Sequence, residues 1–296
     1  MTLMMIRRNI LLYFRDKGMF FTSLITPGIL LVLYVSFLGN VFRDTFRQVF
    51  EPYGGLPEEL IEGCVGGQLT SSLLAVCCVT VSFCANFLMV QDKAGGAVRD
   101  FAVTPVSGNR LAFSYYCATL INALFVCLVA SVLCLGYVAL TGWYLSFGDV
   151  CLILLDVILL VFFGTALSSI INYFLTTQGQ ISAVGSIVSS CYGFVCGAYM
   201  PISQFAPGLQ KVLACLPGTY GTALLRNHTL NGTYREMRRF GIPESAISEM
   251  QKAMDCRIEF FGNSVSIPAM YGILVGTVLL LLGIYVLMTR KKTVAK

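Results

Sequence analysis

The sequence is poor in charge. Only 12% of its 296 residues are Asp, Glu, Lys or Arg, whereas 56% are hydrophobic. Soluble domains carry about 25% charged residues, and a chain of this length must still cover a large surface. The deficit therefore argues against a soluble globular protein and indicates that much of the chain faces lipid.

Residues that catalysis requires are also scarce. The chain has one histidine, His228, and no Gly-x-x-x-x-Gly-Lys-Ser/Thr nucleotide loop. Its twelve cysteines match no zinc spacing, and those in apolar runs are expected to pack as small hydrophobic side chains. We therefore expect no catalytic residue, no metal and no cofactor in this chain. A disulfide between Cys215 and Cys256 is left open.

Long runs without charge are abundant. A helix that crosses a bilayer needs roughly 20 apolar residues. Several charge-free runs reach that length, and the longest is divided at the polar stretch Leu175–Gln180, which contains Gly179. The sequence thus predicts an all-α integral membrane fold with six transmembrane helices. Their predicted ranges are 18–40, 64–91, 111–140, 150–175, 181–201 and 267–289.

Basic residues flank the predicted spans unequally. They precede the first span at Arg7, Arg8, Arg15 and Lys17, and they follow the last at Arg290, Lys291, Lys292 and Lys296. The positive-inside rule places both termini in the cytoplasm, which agrees with an even number of spans. The net charge of +5 is thus a topology signal, and no basic patch for nucleic acid is formed. We expect a multi-pass protein of a bacterial plasma membrane.

Ionisable residues are nearly absent from the predicted spans. The exception is Asp156, which lies roughly 10 Å into the fourth span. Such residues are expensive to keep in a membrane without a use. Three roles stay open for the carboxylate: contact with a substrate, pairing with a polar group across the bundle, or contact with water at the interface.

Small residues recur every four positions in the predicted fifth span. They are Gly185, Ser189, Gly193 and Gly197. Small residues at this spacing let helices approach closely in lipid. The pattern predicts a helix–helix seam, either within the bundle or across a dimer.

Residues 202–266 form the longest segment outside the predicted spans. Its apolar first half is punctuated by prolines, which favours a short re-entrant hairpin. The charged second half, Arg226–Glu259, predicts a small external helical cap with a helix near 243–256. Asn227 and Asn231 each begin an Asn-x-Thr glycosylation pattern, which is frequent by chance.

The loop after the second predicted span, Gln91–Arg110, lies on the predicted cytoplasmic side. It contains a short helical stretch with Phe101 and Val103 among charged residues, and this stretch ends at Thr104-Pro105. Such an element can dock in a groove on a soluble partner. A plain connecting loop is the alternative.

Here the sequence resembles the permease subunits of ATP-binding-cassette (ABC) transporters, in the type-2 exporter branch. That family has a charged run, a glycine and a helix that ends in Thr-Pro-hydrophobic-Ser at this place. Asp92-Lys93, Gly96 and residues 104–107 match this pattern, whereas Arg99-Asp100 reverses the usual order of acid and base.

Two further stretches are similar to the same family. The start of the chain, Arg7–Asp16, is followed by Pro27 in the first span, and the proline-rich stretch 201–226 follows the fifth. The resemblance implies one permease domain over 1–296. Within it lie an amphipathic N-terminal helix at 1–17, a cytoplasmic coupling helix at about 94–104 and an external re-entrant and cap segment at 202–266.

The resemblance also implies partners. Two permease chains, identical or related, would form the pathway, and separate ATPase subunits that bind ATP and Mg²⁺ would drive it. The residues implied in coupling to the ATPase are Asp92, Lys93, Gly96, Arg99, Phe101, Val103, Thr104 and Pro105. The aromatic and Met-rich spans favour a hydrophobic or amphipathic cargo. Alternatives are an ion-coupled secondary carrier that uses Asp156 and a non-transporting membrane sensor or immunity protein.

Overall fold

The computed structural model describes residues 2–102, 107–260 and 262–294, with the backbone alone for Arg99, Ala102 and residues 291–294. This part of the chain is almost entirely helical. The helices are α1 (Thr2–Arg15), α2 (Lys17–Leu33), α3 (Gly39–Phe50), α4 (Glu58–Ala94), α5 (Ala97–Ala102), α6 (Gly108–Thr141), α7 (Phe147–Phe174), α8 (Gln178–Val195), α9 (Pro207–Leu213), α10 (Pro217–Arg239), α11 (Glu244–Ala253) and α12 (Ile267–Val294). A π-helical turn, Tyr34–Leu38, joins α2 to α3, 3-10 turns cover Glu51–Tyr53 and Ile202–Gln204, and the strands β1 (Glu259–Phe260) and β2 (Asn263–Ser264) pair antiparallel.

The helices confirm an all-α membrane fold. Within the described residues, five stretches are long and apolar enough to cross a membrane. They are Lys17–Tyr53, Glu58–Ala94, Gly108–Thr141, Phe147–Phe174 and Ile267–Arg290. They cover the predicted spans one to four and six. The first stretch, Lys17–Tyr53, and the second, Glu58–Ala94, are longer than the predicted ranges 18–40 and 64–91. The predicted fifth span coincides with α8, which has 18 residues and a polar first turn. The sixth crossing therefore stays a prediction.

The helix α4 lies at the centre of the bundle. In its most apolar stretch 94% of the residues are buried, against 17% in α12. Glycines permit this enclosure, because a Cβ at Gly67 would lie 2.8 Å from the Leu230 side chain and one at Gly63 would lie 2.8 Å from Tyr144. Helices in an apolar environment associate through such close approaches.

The bundle has two different ends. At one, which we name the α1 end, α1 packs against α6 and α4 leads into α5. At the other, which we name the cap, α3, the start of α4, the end of α10 and α11 share a second hydrophobic core. Arg43–Glu62 and Arg47–Glu58 ion pairs, at 2.6 and 2.8 Å, attach α3 to α4. These contacts stabilise α3, so the helical stretch that begins at Lys17 continues past the predicted end of the first span.

The helix α10 departs from the sequence-based expectation. The segment from Arg226 onward was expected to be exposed, yet Arg226 and His228 are only 1% and 5% exposed. The α10 helix begins beside the middle of α7, where a Cβ at Gly221 would lie 2.3 Å from Leu160. It then runs toward the cap. The polar residues are buried because each finds a partner in another element, and such pairing cannot be read from hydropathy.

Both glycosylation patterns lie inside this packed helix. The Asn231 side chain donates to the Asp149 carboxylate at 2.7 Å, and that of Asn227 donates to the Cys256 carbonyl oxygen at 2.6 Å. The threonines of the patterns, Thr229 and Thr233, are buried. Both asparagine side chains are therefore engaged in hydrogen bonds within the fold.

All cysteines are free in the described part of the chain, so the Cys215–Cys256 disulfide that was left open is not formed. Cys215 is exposed just after α9 and hydrogen-bonds to the Lys211 carbonyl at 3.2 Å. Cys256 is buried, with its Sγ 3.7 Å from the Tyr234 hydroxyl. Burial raises the pKa of the Cys256 thiol to about 11.

Candidate functional site

Asp92, in the last turn of α4, binds two other helices at the α1 end. Its carboxylate forms a two-pronged ion pair with the Arg8 guanidinium of α1, with one nitrogen at 3.0 Å. It also accepts a hydrogen bond of 2.5 Å from the Tyr115 hydroxyl of α6. Bidentate arginine–carboxylate pairs fix geometry as well as charge. The hydrogen bond to Asp92 raises the pKa of Arg8, so this residue stays a cation.

Arg8 reaches Asp92 because α1 is amphipathic. Its buried residues, Met5, Asn9 and Tyr13, recur every four positions and turn one face of the helix toward the bundle. Arg8 lies at the edge of that face, with its side chain partly exposed. The opposite face carries exposed apolar side chains, including Leu3 and Leu11.

Lys93, the next residue, binds the end of α7. Its Nζ donates to the carbonyl oxygens of Asn172, Tyr173 and Leu175 at 2.9, 2.9 and 3.2 Å. The last carbonyls of a helix lack helical partners and form the negative end of its dipole, so a cation there is favourable. The Tyr173 hydroxyl in turn donates to the Met288 carbonyl of α12 at 3.2 Å.

The short helix α5 follows directly. Gly96 adopts a left-handed conformation with φ of 85°, which allows the chain to leave α4 and begin α5. Phe101 of α5 holds its ring centre 5.3 Å from the Arg8 guanidinium carbon, a cation–π contact. Arg8 thus contacts both the end of α4 and α5.

The structure brings together Asp92, Lys93, Gly96 and Phe101 among the residues implied in coupling. Arg99 has its backbone in α5, while Val103, Thr104 and Pro105 lie outside the described residues. The sequence did not reveal Arg8 and Tyr115 as partners of Asp92. The amphipathic pattern of α1 indicated that Arg8 lies beside the face that packs on the bundle. Nothing in the sequence singled out Tyr115.

Asp156 is completely buried in the middle of the bundle. Its Oδ2 lies 2.6 Å from His228 Nδ1 of α10, and its Oδ1 accepts a hydrogen bond of 2.5 Å from the Tyr271 hydroxyl of α12. Of the three roles left open for this carboxylate, the structure shows pairing across the bundle. Asp156 and His228 were predicted to lie apart, because the histidine falls in a segment predicted to be external.

An apolar groove of about 600 Å³ opens between α2 and α8. Its lining includes Ile29 and Leu33 of α2, Phe37 of the π-helical turn, Phe194 of α8 and Met200 beyond it. Among the residues described, none that lines the groove is charged. π-Helical turns within α-helices frequently occur at functional sites.

The four small residues of the predicted seam have separate roles. A Cβ at Gly185 would lie 3.4 Å from Phe87 of α4, and one at Gly193 would lie 2.3 Å from the ring of Tyr199. The Ser189 side chain lines the groove. Gly197 lies beyond the end of α8 in a left-handed conformation with φ of 75°, so its assignment to a helical stripe is corrected. The Gly185 and Gly193 contacts lie within the chain, and the dimer seam stays a prediction.

The chain matches a known family of membrane proteins over most of its length. The family model described as ABC-2 type transporter matches residues 2–229. The chain belongs to the ABC-2 type transporter family. A search of curated proteins found no match. The chain is thus a multi-pass membrane permease of the ABC transporter class, and the matched region includes α1, α5 and most of α10.

Proposed function

We propose that this ABC-2 permease forms the translocation pathway of an exporter that separate ATPase subunits drive. The observation that carries the proposal is the attachment of α5 to the bundle at the α1 end. Asp92 and Lys93 directly precede α5 and bind α1, α6 and α7. A force applied to α5 is therefore passed to most of the helices at that end.

The coupling follows from this arrangement. An ATPase subunit that holds ATP and Mg²⁺ docks on α5 and changes its position when it closes on nucleotide. Arg8 then carries the displacement to α1, and Lys93 carries it to α7. Two discrete arrangements of the bundle, biased by nucleotide in the partner, constitute a switch. The residues assigned to coupling are Asp92, Lys93, Gly96, Arg99, Phe101, Val103, Thr104 and Pro105.

The groove between α2 and α8 supports the assignment of cargo and of a second chain. Its uncharged apolar lining suits hydrophobic or amphipathic cargo. Large apolar side chains such as Phe21, Val32 and Ile187 are exposed near it, at 63%, 66% and 62%. We assign this face to contact with a second permease chain, identical or related, and with membrane lipid. The permease itself carries out no catalysis.

The proposal includes an orientation of the bundle in the membrane. By the positive-inside rule, the basic residues Arg7, Arg8 and Arg15 of α1 support a cytoplasmic α1 end, and hence an external cap. With α8 as the sixth crossing, both termini lie on the cytoplasmic side of a bacterial plasma membrane in this proposal.

The proposal is tested by ATP hydrolysis in the reconstituted complex. Arg8→Ala should still permit assembly with the ATPase but lower the stimulation of hydrolysis by the permease about tenfold, because α5 loses its connection to α1. Arg238→Ala is the matched control, since Arg238 pairs with Glu244 at the cap, at 2.9 Å. Equal stimulation in the Arg8→Ala complex and the wild type would refute the proposed route.

The buried Asp156–His228 pair is the observation that favours a second candidate, an ion-coupled secondary carrier. Transport that persists in vesicles depleted of ATP and stops on dissipation of the proton gradient would establish that alternative in place of the ATP-driven one.

A further inference from the structure

Three side chains from three helices meet inside the bundle. Both oxygens of the Asp156 carboxylate are occupied, one by His228 of α10 and the other by Tyr271 of α12. The His228 and Tyr271 rings are stacked, with centroids 6.2 Å apart. The cluster therefore joins α7, α10 and α12 at one buried point.

The same helix pair contains a second acid–base pair for comparison. Two helical turns before Asp156, Asp149 of α7 accepts a hydrogen bond of 2.9 Å from Arg235 of α10. Arginine stays protonated at any physiological pH, so the charge of this pair is fixed. His228 is the chain's sole histidine, the residue type that changes charge between pH 5 and 8. The α7–α10 seam thus pairs one acid with a permanent cation and the other with a base that exchanges protons.

The other titratable groups packed on the described part of α10 contact other positions. From the far side of α10, Asp255 pairs with Arg226. The Cys256 thiol lies against Tyr234. The groups that face His228 directly are therefore Asp156 of α7 and Tyr271 of α12.

The two ring nitrogens of His228 have different roles in proton uptake. With a neutral ring, Nδ1 donates its hydrogen to Asp156, and the pair carries one negative charge in a buried site. An added proton binds at Nε2, the ring nitrogen that is not bonded to Asp156. The resulting imidazolium–carboxylate pair is neutral overall, and a buried charge is far less costly when it is paired.

Packing contacts connect the helices of the cluster to α8. One turn after Asp156, Leu160 fills the space beside Gly221 of α10. Gly218, at the start of α10, lies against Tyr192 of α8, where a Cβ would be 2.8 Å from the Tyr192 hydroxyl. A shift of α10 against α7 would therefore reach α8, which lines the groove.

We propose that Asp156, His228 and Tyr271 form an exchangeable proton-binding site within the bundle. The pair takes up one proton from water, and the imidazole is its acceptor. This site exists in the permease chain alone, so its test does not depend on an ATPase partner or on transport.

The sole histidine permits a direct test. The chain, purified without a histidine tag and labelled with ¹⁵N in histidine, is placed in nanodiscs and followed by NMR from pH 5 to 8. The ring signals are expected to change from the neutral Nδ1-protonated form to the imidazolium. Asp156→Asn should lower the midpoint by about one pH unit or more, because it removes the charge that stabilises the imidazolium. Asp149→Asn is the matched control and should leave the midpoint within about 0.3 unit.

A second variant separates a proton site from a general disturbance of packing. Tyr271→Phe removes a hydrogen bond that stabilises the carboxylate, so it should raise the midpoint, opposite to the effect of Asp156→Asn. Shifts of the same sign in both variants would overturn the proposal. A ring that keeps one protonation state from pH 5 to 8, or a midpoint that Asp156→Asn does not change, would also overturn it.

Discussion

The α4 side and the α2–α8 side of this permease are packed in opposite ways. The helix α4 is enclosed on every face, with glycines where Leu230 and Tyr144 approach it. The α2 and α8 helices instead leave an apolar groove between them, with Phe37 and Phe194 in its lining. Enclosure fixes α4 in one position, whereas the open face leaves the space that we propose for cargo or for a second chain. On this proposal, stability and function depend on different faces of the bundle.

The largest effect is expected where the packed side has no space. A Cβ at Gly232 of α10 would lie 2.1 Å from the Tyr144 carbonyl oxygen, a backbone atom that cannot give way. Gly232→Ala should destabilise the protein by about 1–3 kcal/mol or more. Gly276→Ala in α12 is the control, because a Cβ there meets nothing within 4 Å. Thermal unfolding in detergent compares the two, and equal midpoints would contradict the packing described for α10.

A bulky residue in the groove should separate function from stability. Ser190 is exposed on α8 and lines the groove. Ser190→Trp should change the free energy of unfolding by about 0.5 kcal/mol or less, because the site is open. It should nevertheless lower transport by the reconstituted complex about tenfold, since the ring fills the space assigned to cargo. A loss of stability like that of Gly232→Ala, with transport kept, would remove the distinction between the two faces.

The smallest effect concerns the reactivity of two thiols, Cys215 between α9 and α10 and Cys256 after α11. A membrane-impermeant maleimide applied to intact cells at pH 7 should modify Cys215, which is exposed. It should not modify Cys256, because this thiol is buried and its pKa of about 11 leaves little thiolate. Mass spectrometry identifies the modified residue, with Cys215→Ser as control. Modification of Cys215 only in inverted vesicles would reverse the proposed orientation.

Much of the architecture was predictable from the sequence because lipid imposes a strong rule. Charge-free runs located the long apolar helices, and Pro243 marked the start of α11. The depth of α10 was not predictable, since Arg226 and His228 read as exposed residues until their partners are known. These partners, Asp255 and Asp156, lie far away in the sequence.

The candidate site was predictable only in part, because the partners of its residues also lie far away in the sequence. The family motif pointed to Asp92 and Lys93, but their bonds to Arg8 and to the end of α7 depend on how the helices pack. Gly197 was misplaced because a spacing of four residues says nothing about where a helix ends. The helix α8 in fact ends at Val195.

The central claim is that a separate ATPase chain drives this permease through α5. The most direct test is co-purification of an ATPase subunit with the tagged permease in mild detergent, comparing wild type with Phe101→Asp. Phe147→Asp is the control, the same change at an 86% exposed phenylalanine at the start of α7, near the cap. The account predicts that an ATPase binds to the wild type and to Phe147→Asp and is lost from Phe101→Asp. Equal recovery of an ATPase with all three chains, or with none of them, would contradict it.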